Sequence, residues 1–169
     1  LDAMIRLREK GLVKKIGVSV YTSEQIDLAS KYSAIDLAQV PISVFDQRLI
    51  KSGHLSQLKK RGAEIHARSV LLQGLLLAQP SALPQHFDGI RMHLDGFCQK
   101  ADAYGITPLE AALGFVGALK EVDIVLCGVG SRAELEGLVA ASKKKVDPKW
   151  FQDFGLQDTT ILNPSLWCV

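Results

Sequence analysis

Apolar and polar residues along this chain follow two periods, one typical of strands and one typical of helices. Short apolar runs of strand type are followed by stretches in which apolar residues recur every three or four positions. Capping pairs mark helix starts at Thr22/Gln25, Thr107/Glu110 and Ser131/Glu134. The pattern predicts strands at residues 13–20, 35–42, 64–70 and 124–127, and helices at residues 1–10, 23–32, 48–60, 90–104, 107–120, 131–143 and 147–154.

Strands and helices that alternate in this order predict an α/β fold with a parallel sheet and right-handed crossovers. Four consecutive strand–helix units fit half of a (β/α)8 barrel or an open four-stranded sheet. The length of 169 residues suits one domain with a sizeable core. The residues after 154 contain Asn163-Pro164 and Trp167, and we expect them to form an extended cover.

Composition argues against several classes of partner. The formal net charge of +2 gives no reason to expect a nucleic acid or a membrane. No apolar run reaches the roughly 20 residues that span a bilayer, and no signal peptide is visible. The cysteines, Cys98, Cys127 and Cys168, lack metal-ligand spacing and leave one unpaired, which favours a reducing, cytoplasmic compartment. The chain opens at Leu1 in a helical pattern without an initiator Met, so we expect it to come from within a longer protein.

Polar or glycine-bearing segments stand at the end of every predicted strand: Gly17-Val18-Ser19, Gln39, Arg68-Ser69 and Gly128-Val129-Gly130. Buried polar groups are costly unless something uses them, and ligands of parallel α/β proteins bind at that end of the sheet. Glycine turns that lead into capped helices present free N–H groups to an anion. The turns at 71–74 and 128–130 therefore predict a phosphate-binding site.

Structural roles account for several of the same residues. Arg68 can pair with a carboxylate, Ser19 and Gln39 can hold the fold through hydrogen bonds, and the glycines can serve turn geometry alone. His66 is expected to be a hydrogen-bonded core histidine rather than an acid–base group. Asp46, beside Gln47-Arg48, is expected to be a helix-start carboxylate.

Four segments resemble motifs of the aldo-keto reductase family, in order and in spacing. They are Ile16-Gly17-Val18-Ser19, Ala38-Gln39-Val40-Pro41-Ile42-Ser43, Ala67-Arg68-Ser69-Val70-Leu71-Leu72-Gln73-Gly74, and Cys127-Gly128-Val129-Gly130-Ser131 with Leu135. The resemblance implies an eight-stranded barrel that reduces aldehydes or ketones with NADP or NAD. This chain would be its C-terminal half, strands five to eight. Residues 1–169 would be a single partial domain, in which residues 144–169 form a short helix and tail.

The resemblance also implies which residues bind the cofactor. Ser19 and Gln39 match groups that hold the nicotinamide carboxamide, and Arg68 stands where the family usually has a Tyr that stacks on the ring. The remaining matches are Ser69, Val70, Leu71 and Gly74 around the pyrophosphate, and Gly128, Val129, Gly130 and Arg132 around the adenosine 2′-phosphate. Val20 departs from the family's Asn, and Glu134 stands where the family often has Arg or Gln. The choice between NADP and NAD therefore stays open.

The family's proton-transfer residues, an Asp, a Tyr, a Lys and a His, come from its first four strands. Tyr21, Tyr32 and Tyr104 do not match the catalytic Tyr, so no catalytic residue is assigned and the chain is expected to be inactive alone. An alternative is a non-catalytic nucleotide-binding or regulatory half-barrel. Another is a phosphate-binding barrel enzyme such as an isomerase or aldolase, although no strand-end Lys supports Schiff-base chemistry. Because a half-barrel leaves sheet edges open, self-association into a homodimer is expected.

Overall fold

Four parallel strands form one sheet, and their spatial order is their order along the chain. The computed structural model describes residues 1–32 and 35–167. The strands are β1 (Gly17–Ser19), β2 (Leu37–Pro41), β3 (Glu64–Arg68) and β4 (Ile124–Val125). The parallel α/β architecture predicted from the pattern is therefore confirmed.

Eight α-helices lie among the described residues. They are α1 (Asp2–Glu9), α2 (Ser23–Ala29), α3 (Arg48–Lys51), α4 (His54–Lys60), α5 (Arg91–Ala103), α6 (Pro108–Gly117), α7 (Arg132–Ala141) and α8 (Thr159–Leu162). Short 3₁₀ helices occupy Leu72–Leu77, Pro80–Ala82, Gln85–Ile90, Pro148–Phe154 and Pro164–Leu166. In the described part of the chain, no helix is long and apolar enough to cross a membrane.

The two faces of the sheet differ in character. Ala38, Val40, Ile65 and Ala67 point to one face and are buried in the core that the helices cover. The other face carries half-buried side chains of β2 and β3, including Gln39, His66 and Arg68. Register aligns Ser19 with Gln39, Gln39 with His66, and His66 with Ile124. The polar strand residues predicted to bind ligand thus share one face.

Most predicted elements are a few residues shorter in the structure, as β3 ends at Arg68 rather than at Val70, and three differ in a way that has a local cause. The strand predicted at 13–20 is shorter in the structure, where β1 spans Gly17–Ser19 and pairs with β2 from Leu37 onward. The helix predicted at 48–60 is two helices, because Gly53 adopts a left-handed φ of 79° between α3 and α4. The short helix predicted at 147–154 is a 3₁₀ helix that Asp147 caps by accepting from the Lys149 N–H at 2.9 Å.

The expectation of an extended C-terminal cover was wrong. Asp158 accepts a hydrogen bond from the Thr160 N–H at 2.9 Å and starts α8, and Asn163 accepts from the Ser165 N–H at 3.2 Å and starts a 3₁₀ turn. Trp167 Nε1 then donates to the Ile161 carbonyl at 3.1 Å. Side-chain caps therefore curl this segment, while Cys168 lies outside the described residues.

Two aspartates tie the sheet to its neighbours through backbone amides. Asp36 accepts from the Ile16 N–H at 2.9 Å and from Arg8 at 2.7 Å, and Asp123 accepts from the Ile65 N–H at 2.7 Å and from Lys59 at 2.8 Å. The Ile16 amide is the main group that lowers the Asp36 pKa, and Lys59 is the main group that lowers the Asp123 pKa.

We expect these aspartates to make the fold acid-labile. Because each pKa is lowered in the folded state, the stability they contribute is present above the unfolded value of about 3.9 and is lost as the pH falls toward the folded pKa. Asp36→Asn and Asp123→Asn should each weaken the dependence of unfolding free energy on pH below about 4. Urea denaturation between pH 3 and 7 measures this, with the exposed Asp2→Asn as control. An unchanged pH profile in both variants would contradict the expectation.

Candidate functional site

The loop after β3 has a strained backbone. Ser69, Leu72 and Gln73 have φ values of 57°, 45° and 53°, in the left-handed region that side chains disfavour, and Gly74 has a φ of 89°. Strain of about 1–3 kcal/mol per residue persists only where the surroundings impose it, and such residues cluster at ligand sites. The loop that the glycine pattern indicated is therefore a candidate site on conformational grounds as well.

This loop forms one wall of a cleft of about 850 Å³. The turn after β4 and the first turns of α7 form the other wall. The cleft is lined by Ser69, Val70, Leu71, Gln73 and Gly74 on the first wall and by Leu126, Cys127, Gly128, Ala133, Glu134, Gly137 and Leu138 on the second, with Leu77 and Leu109 completing it. The two glycine turns predicted to bind phosphate thus face one space.

The turn from β4 into α7 presents only part of its predicted residues to the cleft. Gly128 lines it, whereas Val129, Gly130 and Arg132 do not. Arg132 Nε donates to Glu136 Oε1 at 2.7 Å on the solvent side of α7, where the Arg132 side chain is 91% exposed. Five of the predicted residues therefore lie on the cleft, namely Ser69, Val70, Leu71, Gly74 and Gly128.

Arg68 lies at the end of β3, directly before the strained loop. Its Nη2 donates to the Val20 carbonyl at 3.3 Å and its Nη1 donates to Ser69 Oγ at 3.3 Å. The guanidinium carbon lies 4.0 Å from the centroid of the Tyr21 ring, within cation–π range. The predicted alternative of an ion pair with a carboxylate is wrong, since no described carboxylate pairs with Arg68.

Arg68 also has an unsatisfied donor. Its Nε is buried and has no hydrogen-bond partner among the described residues. A buried donor without a partner costs about 1–3 kcal/mol, and such groups are rare unless a ligand or strain accounts for them. This atom marks the junction between the polar face of the sheet and the cleft as a place where a ligand acceptor would be stabilised.

Ser19 and Gln39 are brought together as predicted. Ser19 Oγ donates to Gln39 Oε1 at 3.4 Å across the β1–β2 pair. Neither residue lines the cleft, and both lie on the polar sheet face one row below Arg68. Eight of the eleven predicted residues therefore form two adjoining groups, three on the sheet face and five in the cleft, which meet at Arg68 and Ser69.

His66 is hydrogen-bonded as predicted, but it is half-buried on the polar face of the sheet and not in the core. Its Nε2 lies 2.6 Å from Glu64 Oε1, and the side chain is 16% exposed. Glu64 is also in contact with Lys15. The Lys15 ammonium, followed by His66, holds the pKa of Glu64 below its ordinary value. These contacts give His66 Nε2 a partner and link Lys15 to the start of β3.

Most of the chain matches a known family. The family model described as the aldo/keto reductase family matches residues 1–154. The chain belongs to this family. A search of curated proteins found no match.

Solved aldo-keto reductases share the fold. An aldo-keto reductase from Bacillus halodurans in its holo form superimposes with a TM-score of 0.75 at 20% identity, over 90% of this chain and 54% of that one. Its apo form gives a TM-score of 0.74 at 18% identity, over 99% and 57%. A thermostable aldo-keto reductase bound to the inhibitor epalrestat gives 0.71 at 23% identity, over 92% and 53%. The chain spans about half the length of these structures, and its four-stranded parallel sheet is consistent with part of an aldo-keto reductase barrel.

The family motifs did not reveal a buried polar cluster after β2. Asp46 was expected only to start a helix, but its side chain is 1% exposed and pairs with Arg48 through Oδ1–Nε and Oδ2–Nη2 contacts of 2.8 and 2.7 Å. Gln47 donates to the carbonyls of Val44 and Phe151 at 2.7 and 2.9 Å. The signal was present, since three polar residues directly follow an apolar run.

The contact of Tyr21 with Arg68 was also not predicted from the sequence, which gave Tyr21 only as a mismatch to the catalytic Tyr. Tyr21 stands two residues after the β1 motif, and only the folded structure brings its ring beneath Arg68, 47 positions later in the chain. Tyr104 stacks on Trp150 with centroids 4.0 Å apart. Of the described residues, neither tyrosine lines the cleft, and Tyr32 lines a separate small cavity behind the sheet.

Cys127 is the one thiol on the cleft wall among the described residues. Burial raises its pKa, so the thiol stays protonated at neutral pH and is a poor nucleophile. No group of three or more potential metal ligands occurs in the described part of the chain. The described residues of the cleft offer backbone amides, the Ser69 hydroxyl, the Glu134 carboxylate and apolar surface, a lining suited to a nucleotide.

Proposed function

We propose that this chain binds the nicotinamide cofactor of an NAD(P)H-dependent reductase that acts on small aldehydes or ketones. The cleft carries the proposal, because the strained loop at 69–74 and the Gly128 turn lie on opposite walls of one space. A dinucleotide pyrophosphate fits backbone N–H groups on such a loop. The cofactor, when bound, supplies the hydride, and the chain's residues bind and orient it.

The sheet face next to the cleft suits the nicotinamide end. Ser19 and Gln39 offer a hydroxyl and an amide to a carboxamide, and the guanidinium plane of Arg68 can stack on a ring. The unpartnered Nε of Arg68 supports an acceptor at this place. We further propose that β1 to β4 correspond to strands five to eight of the barrel, and that the protein is cytoplasmic, in keeping with its free thiols Cys98 and Cys127.

A second candidate is nucleotide binding without turnover by this chain. The placement of Tyr21 against Arg68 and of Tyr104 against Trp150 favours it, because a general acid must reach the substrate. Calorimetry of the 169-residue chain with NADH and NADPH, followed by an assay for carbonyl-dependent oxidation of the bound cofactor, tests both candidates. Binding without oxidation is the expected result. Failure of both cofactors to bind would overturn the proposal. Carbonyl-dependent oxidation of the cofactor by the chain alone would contradict the expectation that the chain is inactive alone.

The open sheet edges lead to a proposal about assembly. Among the described residues, β1 and β4 each have one unpaired side, and Ile124 and Leu126 at the β4 edge are 41% and 37% exposed. Two copies have about the length of one matched reductase, and a twofold arrangement pairs β4 of each copy with β1 of the other. We propose such a homodimer. Light scattering coupled to size exclusion is expected to give twice the mass of 18.4 kDa, and a monomer at micromolar concentration would overturn it.

Gly74→Ala tests the role of the strained loop. A side chain at a φ of 89° costs about 1–2 kcal/mol, although a Cβ there meets no neighbour. The variant is expected to be slightly less stable and to bind NAD(P)H about fivefold more weakly, since binding must restore the loop. Gly62→Ala, at a φ of 82° with equally open space, carries the same strain outside the cleft. It should lose stability and keep full affinity; equal affinity loss in both variants would contradict a specific role for Gly74.

A further inference from the structure

Glu134 stands on the cleft wall in a conformation that the sequence did not predict. The expected capping box is half formed, since Ser131 Oγ accepts from the Glu134 N–H at 3.2 Å. The Glu134 carboxylate, however, reaches one residue further back than such a box requires. Its Oε2 accepts from the Gly130 N–H at 2.7 Å, and its Oε1 accepts no hydrogen bond from the described residues. The N-terminal end of α7 is thus already occupied by a negative charge.

The charge of the cleft has one sign. Glu134 is the only charged side chain among the described residues that line it. Arg132, the nearest cation in sequence, is paired with Glu136 on the exposed side of the helix and does not line the cleft. A 2′-phosphate, with a charge of about −1.5 to −2, would enter without a cation to meet it and would compete with Glu134 for the Gly130 amide. A 2′-hydroxyl would instead donate to a carboxylate oxygen.

We propose that the cleft selects NAD(H) over NADP(H), and that Glu134 is the residue that discriminates between them. The inference rests on the proposed function, because it requires the adenosine end of the dinucleotide to lie against α7. Specificity arises here from a repulsive group toward one ligand together with an attractive contact to the other. Arg132, which the resemblance assigned to the 2′-phosphate, has no part in it.

Binding of the 169-residue chain to paired ligands tests the inference. Calorimetry with NADH and NADPH, and with ADP-ribose and its 2′-phosphorylated form, isolates the 2′ position with and without nicotinamide. In each pair the unphosphorylated ligand is expected to bind at least about tenfold more tightly. Glu134→Gln keeps an oxygen that accepts from the Gly130 N–H and removes the charge. It should therefore reduce the difference in affinity within each pair by increasing the affinity of the phosphorylated ligand. Glu134→Arg should reverse the preference.

Glu110→Gln is the matched control. Glu110 accepts from the Thr107 N–H at 2.7 Å at the start of α6, just as Glu134 accepts from the Gly130 N–H at the start of α7. Glu110, however, does not line the cleft. It should leave both affinities unchanged. Equal binding of the paired ligands, tighter binding of the phosphorylated one, or the same ratio in Glu134→Gln and in the unmodified chain would overturn the inference while leaving the proposed function intact. Failure of all four ligands to bind would overturn the proposed function and the inference together.

Discussion

Asp46→Ala is expected to destabilise the fold by about 3–5 kcal/mol, the cost of removing one partner from a buried ion pair. The Asp46 side chain is 1% exposed and that of Arg48 20%, so the substitution strands a guanidinium that water cannot fully solvate. Their bidentate hydrogen bonds raise the Arg48 pKa while Asp46 is present. Without Asp46, Arg48 still cannot relieve the loss by giving up its proton, because a guanidinium is not deprotonated in proteins. Urea denaturation followed by circular dichroism measures the change.

Two further variants separate the buried charge from other effects. Arg48→Met in the Asp46→Ala background removes the stranded charge and should recover part of the stability. Glu136→Ala breaks an Arg–carboxylate contact of similar length, 2.7 Å, whose side chains are 91% and 63% exposed. That variant should change the unfolding free energy by no more than about 0.5 kcal/mol. Similar losses in Asp46→Ala and Glu136→Ala would show that burial does not govern the effect.

The cluster around Asp46 also shows how residues 151–156 are held to the segment that follows β2. Ser43 Oγ accepts from the Asp46 N–H at 2.9 Å, which closes the turn after β2. Gln47 then donates to the Phe151 carbonyl, and the Leu156 N–H donates to the Phe45 carbonyl at 2.8 Å. Loss of the turn would therefore release residues 151–156, and with them the aromatic packing of Phe151 on Phe97.

The sequence predicted what depends on neighbouring residues and missed what depends on distant ones. Strand and helix order followed from local periodicity, and the cap pairs at Thr22 and Thr107 formed as predicted. The contact between Gln47 and Phe151 joins residues 104 positions apart, and no local pattern contains it. The stack of Arg68 on Tyr21 likewise depends on the packing of two strand ends.

The candidate site, too, has a part that the sequence predicted and a part that depends on the fold. The glycine turns were visible in the sequence, and the structure brings the 69–74 loop and Gly128 into one cleft. The charge within that cleft was not predictable from the list of nearby residues. Arg132 and Glu134 are two positions apart, yet only Glu134 lines the cleft, because Arg132 points to Glu136 one helical turn away. The direction of each side chain, which the fold determines, therefore sets the sign of the charge in the cleft.

Gly17→Ala is expected to break the pairing of β1 with β2. A Cβ at position 17 would lie against the Leu37 carbonyl oxygen and 2.9 Å from Leu37 Cβ, closer than such atoms approach. Leu37 cannot retreat, because β2 is held on its other side by β3, where Leu37 pairs with Glu64. Overpacking of this kind costs about 3 kcal/mol when the neighbour is backbone that cannot shift.

The clash at position 17 should be detectable at the β1–β2 pair as well as in the stability of the whole fold. Val20 donates its N–H to the Gln39 carbonyl at 3.0 Å, and Ser19 Oγ contacts Gln39, so both contacts depend on the register that Gly17 permits. Hydrogen exchange of the Val20 amide should therefore accelerate more than that of β3 amides. Gly117→Ala, at the end of α6 with no atom within 4 Å of its Cβ, makes the same chemical change without the clash and should be neutral or slightly stabilising. If Gly17→Ala unfolds at the same urea concentration as the unmodified chain, close approach of the two strands is not what requires glycine at this position.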